Sequence, residues 1–297
     1  MIRTLVAAAL LATTAAPALA QPAHSAAPAL PADTRFTVTV EGSGPDVILI
    51  PGLSSPRAVW DGAKRALGGK CRLHLVELNG FGGSAPGANL DGKILDTAVD
   101  QLAAYITANH LKAPAVVGHS MGGLMGLMLA RRHPEAVGKL MVVDALPFIG
   151  EIFAPGATVA QVEPQARMMR DMMAASFGKP ASPAVTAQIA ATNALKPASQ
   201  AQVAAWVVTA DPRITAQAMY EDMTTDFRPE MAKITTPVTL LYPWAEARVP
   251  KERADALYRA AYAPAKNVTY VPVADSGHFI MLDQPAAFGA ALTAFLK

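Results

Sequence analysis

Gly118-His119-Ser120-Met121-Gly122 is the stretch of this chain best equipped for chemistry. An apolar, β-branched run from Ala115 leads into it, and apolar residues at helical spacing follow it to Arg132. A serine on so sharp a strand-to-helix turn holds strained dihedrals and lifts its hydroxyl above the edge of a sheet. Only residues with little or no side chain fit two places before and after it. The turn also directs the first free N–H groups of the following helix at the space above the hydroxyl, where negative charge can be stabilised. A serine hydroxyl alone is a weak nucleophile and needs a base within hydrogen-bond reach. Ser120 is therefore expected to be a nucleophile served by a distant base.

The elements that must position it alternate along the chain. Thr34–Val40 reads as a half-buried strand, with Phe36, Val38 and Val40 on one face. Asp46–Ile50, Leu73–Leu78, Ala115–Gly118, Leu140–Val143, Val238–Tyr242 and Asn267–Val273 read as further strands. Between them, 57–67, Lys93–Leu111, Ser120–Arg132, 250–262 and Gln284–Leu296 have helical periodicity. Strands alternating with helices predict an α/β fold, a mostly parallel sheet with helices on both faces. The rhythm breaks over 148–230, which carries several helical patterns and no strong strand. That segment is expected to be a helical lid inserted between two parts of one core domain, 33–147 and 231–297.

Ser120, the Pro51-Gly52-Leu53 loop, Asn79-Gly80-Phe81-Gly82-Gly83-Ser84 and the late Gly277-His278 together resemble the α/β-hydrolase family, its serine esterase-like members with a helical lid. The resemblance covers roughly 34–147 and 231–297. It implies that His278, after the last strand, is the base. His24 lies in the N-terminal segment, His74 within a strand, and His110 and His133 at helix ends; His119 flanks the nucleophile. The resemblance also implies an acid in the loop after the strand that follows the lid, Tyr242-Pro243-Trp244-Ala245-Glu246-Ala247-Arg248-Val249-Pro250. Glu246 stands there three residues before a Val-Pro pair, where an aspartate is usual. Asp144, after the Leu140–Val143 strand, is the alternative acid. Acyl transfer needs donors for a developing oxyanion. The Met121 and Leu53 N–H groups are expected to supply them, since Pro51 has no N–H.

Composition narrows the rest. A hydrophobic share of 52% with 16% charged residues is enough for one large core, and a net charge of +2 without a Lys/Arg cluster gives no argument for nucleic acid. The single cysteine, Cys71, reads as a packed, inert thiol. Gly80-Phe81-Gly82-Gly83-Ser84-Ala85 satisfies a dinucleotide-binding pattern, but Pro86-Gly87 follows at once and prevents the helix that pattern requires. No metal or organic cofactor is implied. At the N-terminus, a basic start, an apolar run from Leu5 to Ala16 and Ala18-Leu19-Ala20 predict a signal peptide over 1–20, followed by a disordered lead-in over 21–32. The apolar run is too short to span a bilayer, which takes about 20 residues. A soluble periplasmic or extracellular protein is expected.

Within the lid, Met168, Met169, Met172 and Met173 are expected on one helical face, with Arg167, Arg170 and Asp171 on the other. Met219, Met223 and Phe227 form a second stripe. Met169, Met173 and Trp60 are the candidate pocket residues. The expected activity is that of a carboxylesterase acting on small to medium apolar esters through an acyl-enzyme. Lactonase, amidase, acyltransferase and C–C hydrolase chemistry would use the same triad. The reading from another class is a hydrolase-fold binding protein without turnover.

Overall fold

The computed structural model describes residues 29–30 and 33–297. The expected signal peptide lies outside the described residues, as does most of the lead-in. Ala29 and Leu30, at the end of that lead-in, are held: Ala29 exchanges two hydrogen bonds with the Asn109 side chain, and Leu30 packs against the core.

Seven strands form one sheet in the order β1-β3-β2-β4-β5-β6-β7. They are β1 (Phe36–Glu41), β2 (Asp46–Ile50), β3 (Arg72–Leu78), β4 (Ala115–His119), β5 (Lys139–Val143), β6 (Val238–Trp244) and β7 (Val268–Ala274). Only β1, at one edge, runs antiparallel to its neighbour. The central strands β2, β4 and β5 are apolar along nearly their whole length because helices cover both faces of the sheet. On one face pack α2 (Leu95–Ala108), α3 (Met121–Arg132) and α8 (Lys251–Tyr262); on the other pack α1 (Asp61–Leu67), the short α9 (Ile280–Asp283) and α10 (Pro285–Leu296).

Between β5 and β6 the chain leaves the sheet and builds a cap of four helices: α4 (Val159–Ala174), α5 (Pro183–Asn193), α6 (Pro197–Thr209) and α7 (Pro212–Thr224). They pack as two pairs, α4 with α7 and α5 with α6. The α4/α7 pair sits on the loops after β2 and β3. The Thr215 and Ser54 hydroxyls hydrogen-bond at 3.0 Å, Asp211 N–H donates to Gly80 O, and Gly83 N–H donates to Thr209 O. Glu221 caps α2 by accepting the Ile94 and Leu95 N–H groups. The α5/α6 pair is held from the other side of the site. Arg248 donates to the carbonyls that end α5, and the buried Asp283 carboxylate accepts the Leu195 and Lys196 N–H groups.

Cys71 is buried at the entry to β3, and burial pushes its thiol up. His74 is buried between Asp46 and Tyr105 at the strand-entry end of the sheet, remote from the strand ends that carry Ser120. Among the described residues, no helix is long and apolar enough to cross a membrane.

Candidate active site

Ser120 joins β4 to α3 with φ 54° and ψ −127°, dihedrals a residue with a Cβ adopts only when its surroundings force it to. The surroundings do so through contacts no larger residue would allow. A Cβ on Gly118 would lie 2.1 Å from Gly122 O, and one on Gly122 would lie 2.5 Å from Pro51 O. The turn is therefore wedged between strand, helix and the loop after β2, and Ser120 stays half-buried at the strand end.

The loop after β2 runs beside the serine: a Cβ on Gly52 would stand 3.0 Å from the Ser120 Cβ. The next residue is Leu53. Neither Leu53 N–H nor Met121 N–H has a backbone or side-chain acceptor among the described residues. Both donors flank the serine, and the second opens helix α3, where the free N–H groups gather.

His278 follows β7, which is separated from β4 by two strands, so no ladder ties His278 to Ser120. Side chains do it. His119 Nε2–H donates to His278 O at 3.0 Å, and the two imidazoles lie tilted at 43° with centroids 4.5 Å apart. That places His278 beside the residue preceding Ser120. His119 is fully buried, and burial, helped by the charge of His278, pushes its pKa well below the usual range. It stays neutral, with its proton on Nε2. Asp283 holds the same loop by accepting Gly277 N–H at 2.9 Å. Ser120 Oγ makes no hydrogen bond to another described residue.

The carboxylate on His278 is that of Asp144. Its Oδ2 accepts the Nδ1–H of His278 at 2.6 Å, and Tyr258 OH donates to its Oδ1. Asp144 leaves β5 with φ 49°, a strained position at the strand end. The expectation of Glu246 is corrected. β6 stays paired with β7 through Trp244, and Ala245–Val249 then close a tight turn that leaves Glu246 exposed. The loop's structural work falls to Arg248, on the end of α5.

A family model for the alpha/beta hydrolase family matches residues 47–291. The chain belongs to the alpha/beta hydrolase family. It is similar to pimeloyl-(acyl-carrier protein) methyl ester esterases of Nitrosomonas europaea, 26% identical over 84% of this chain and 95% of the relative, and of Vibrio atlanticus, 26% identical over 87% and 96%. The corresponding enzyme of Aeromonas hydrophila is 37% identical over a shorter match, 38% of this chain and 43% of the relative. Among solved structures, a thermophilic esterase from Thermogutta terrifontis superposes with a TM-score of 0.71, at 19% identity over 88% of this chain and 92% of that one. The enol-lactonase from Burkholderia xenovorans LB400 gives 0.69, at 18% identity over 88% and 96%.

The remaining candidates of this alpha/beta hydrolase separate cleanly. Trp60 is fully buried and stacks on Phe288 beneath the sheet, under α10, so it is core and lines no pocket. The four methionines of α4 do not share one face. Met168 and Met172 are exposed, while Met169 and Met173 turn inward onto a cluster of Phe148, Val162, Met219, Met223 and Leu53. A step of one residue is about 100° around a helix, which is why adjacent methionines part company. Leu53 joins this cluster to the loop beside Ser120, so the inner face of the cap meets the residue whose N–H has no acceptor.

One group there escaped sequence reasoning. Asp222, on α7, lies close enough to His278 to feel its charge. Burial raises its carboxyl from the ordinary 3.8 to about 7, an effect the His278 charge opposes. The signal was present: of the two acids between Met219 and Met223, Glu221 and Asp222, only Asp222 falls on the buried face of α7.

Proposed function

We propose that the chain is a carboxylesterase of small to medium, largely apolar esters, working through an acyl-enzyme. The observation that carries this is the Asp144–His278 pair beside a serine held in strained dihedrals. In this reading Ser120 Oγ attacks the ester carbonyl carbon while His278 Nε2 takes its proton. Asp144 Oδ2 holds Nδ1–H, which fixes the imidazole tautomer and stabilises the imidazolium. The carbonyl oxygen, now negative, accepts from Leu53 N–H and Met121 N–H. Collapse expels the alcohol, protonated by His278. Water then attacks the acyl-serine with His278 again as base, and the acid leaves with Ser120 restored.

Substrate class is argued from the apolar inner face of the cap: Met169, Met173 and Met219 pack with Phe148 and with Leu53, which belongs to the loop beside Ser120. Thioether side chains adapt to varied acyl shapes. The full-length similarity to methyl ester esterases supports ester chemistry over amide chemistry. Export rests on the N-terminal sequence alone and is part of the same proposal; the N-terminus of the protein purified from its host, expected at Gln21, tests it.

The activity is tested with a series of p-nitrophenyl esters and with fluorophosphonate labelling. Turnover, with the label on Ser120 and none on Ser120→Ala, is the expected result. A folded protein that neither labels nor turns over any ester in a broad panel is instead a hydrolase-fold binding protein, and the proposal fails.

A further inference from the structure

Helix α7 carries a buried face centred on Thr215, Ala218 and Met219. At 100° per residue, Asp222 falls within that face, two turns beyond Thr215 and between Ala218 and Met219 around the helix. The face is anchored over the serine site at its start, where the Thr215 hydroxyl meets that of Ser54, the residue after Leu53. Ala218 packs with the core beneath α7, whereas Met219 and Met223 pack with Phe148 and Leu53. Asp222 thus projects from an apolar surface. Asp222 is half-buried, and among the described residues it makes no hydrogen bond and no ion pair with another side chain. A half-buried carboxyl at the edge of an apolar surface is open to a partner that arrives from solvent.

Every other charge near it is already engaged. On α7, Glu221 caps α2 and Arg213 pairs with Asp211. On α4, Glu163 is held by Tyr220 and Arg167, Arg170 by Asp171, with Arg170 also lying over the Tyr220 ring. In the turn before α4, Glu151 pairs with Arg228. The α2 charges Asp96 and Asp100 pair with Arg132. Only the His278 imidazole acts on Asp222 as a charge.

We infer that Asp222 is a specificity-determining residue of the ester site, presented from the cap to receive a cationic amine on the substrate. The inference rests on the esterase reading and adds to it the one polar feature the substrate carries. An ammonium a few atoms from the ester carbon neutralises the carboxylate in a cleft with no other free partner for it. A substrate carboxylate in the same place meets like charge, an effect expected at about tenfold or more in kcat/KM.

The test uses three p-nitrophenyl esters of equal length, with a terminal methyl, ammonium or carboxylate on the acyl chain, assayed at pH 8.5. The wild-type protein is expected to prefer the ammonium over the carboxylate ester by at least about tenfold in kcat/KM. Asp222→Asn is expected to collapse that ratio to within about threefold, Asp222→Glu to retain it, and Asp222→Lys to invert it. Glu246→Gln, which removes an exposed carboxylate off this face, leaves the ratio as it was. A wild-type ratio near one overturns the inference. So does a ratio that survives both Asp222→Asn and Asp222→Lys, or a loss in Asp222→Asn equal for all three esters. The methyl-terminated ester keeps the two claims apart: if wild type does not hydrolyse it or either companion, the esterase reading has failed, and not merely the role of Asp222.

Discussion

Asp144 and Asp222 carry the same carboxyl group, and both act on the same imidazole, yet they belong to different layers of the molecule. Asp144 stands on the floor, at the end of β5. There His278 Nδ1–H and Tyr258 OH satisfy both of its oxygens. Asp222 hangs from the roof, on α7, among methionines and without a hydrogen-bond partner. A carboxylate with two donors in place works as a fixed part of the machine; one left unpartnered in apolar surroundings is poised to meet something that arrives. The same chemistry is assigned opposite work by its neighbours. The two supports differ in the same way. The floor is locked by sheet ladders and by His119 across two intervening strands, whereas the α4/α7 half of the cap rests on a few hydrogen bonds and a methionine-rich contact.

That contrast can be broken at several points. Ser120→Ala should lower kcat by about 10⁶ while leaving the fold intact, because neither carboxylate has a role without the nucleophile. Asp144→Asn should lower kcat by about 10⁴, since an amide no longer fixes the tautomer or stabilises the imidazolium. Glu246→Gln in the same assay should stay within about twofold of wild type, as an exposed side chain off the site does. Equal losses at Asp144 and Glu246 would return the acid to the β6–α8 loop. Tyr258→Phe removes one of two donors from Asp144 and should cost about tenfold in kcat/KM, the size of a hydrogen bond to a charged group. The buried phenol stays protonated well beyond its ordinary range, through burial first and the Asp144 charge second, so this loss should not vary with pH between 6 and 9.

The sharpest effect on stability belongs to the roof. Asp222 keeps its proton to about 7 in the folded chain but loses it near 3.8 when unfolded. Between those values the folded state binds more protons, so this group's contribution falls as pH rises and is lowest above 7. Asp222→Asn should therefore gain thermal stability relative to wild type between pH 4 and pH 7.5, measured by paired unfolding curves. A difference in midpoint that is flat across that range would show a carboxyl that is not desolvated.

Much of the floor was legible before any coordinates. Strand and helix positions follow from periodicity because β2, β4 and β5 are covered on both faces and must be apolar throughout. Ser120 was legible because its turn admits only glycine at Gly118 and Gly122, a demand written locally in the chain. The acid was not. β6 could end at Tyr242 or run on to Trp244 by its composition, and only the pairing of Trp244 with Ala274 carries it on, leaving Glu246 in an exposed turn. The cap was legible as helical and no further. Its four methionines, in the pairs Met168-Met169 and Met172-Met173, look alike one at a time, and the facing helix decides that Met169 and Met173 turn inward.

The amino-acid sequence by itself determined the alternating α/β order and the strained turn at Ser120, because each depends on neighbours within a few residues; the candidate base His278 came from the family resemblance. Tertiary structure alone decided which carboxylate reaches His278, which methionines face the site, and that Asp222 is left without a partner. Those outcomes depend on distances between strand ends and helix faces far apart in the chain, and no local pattern encodes them.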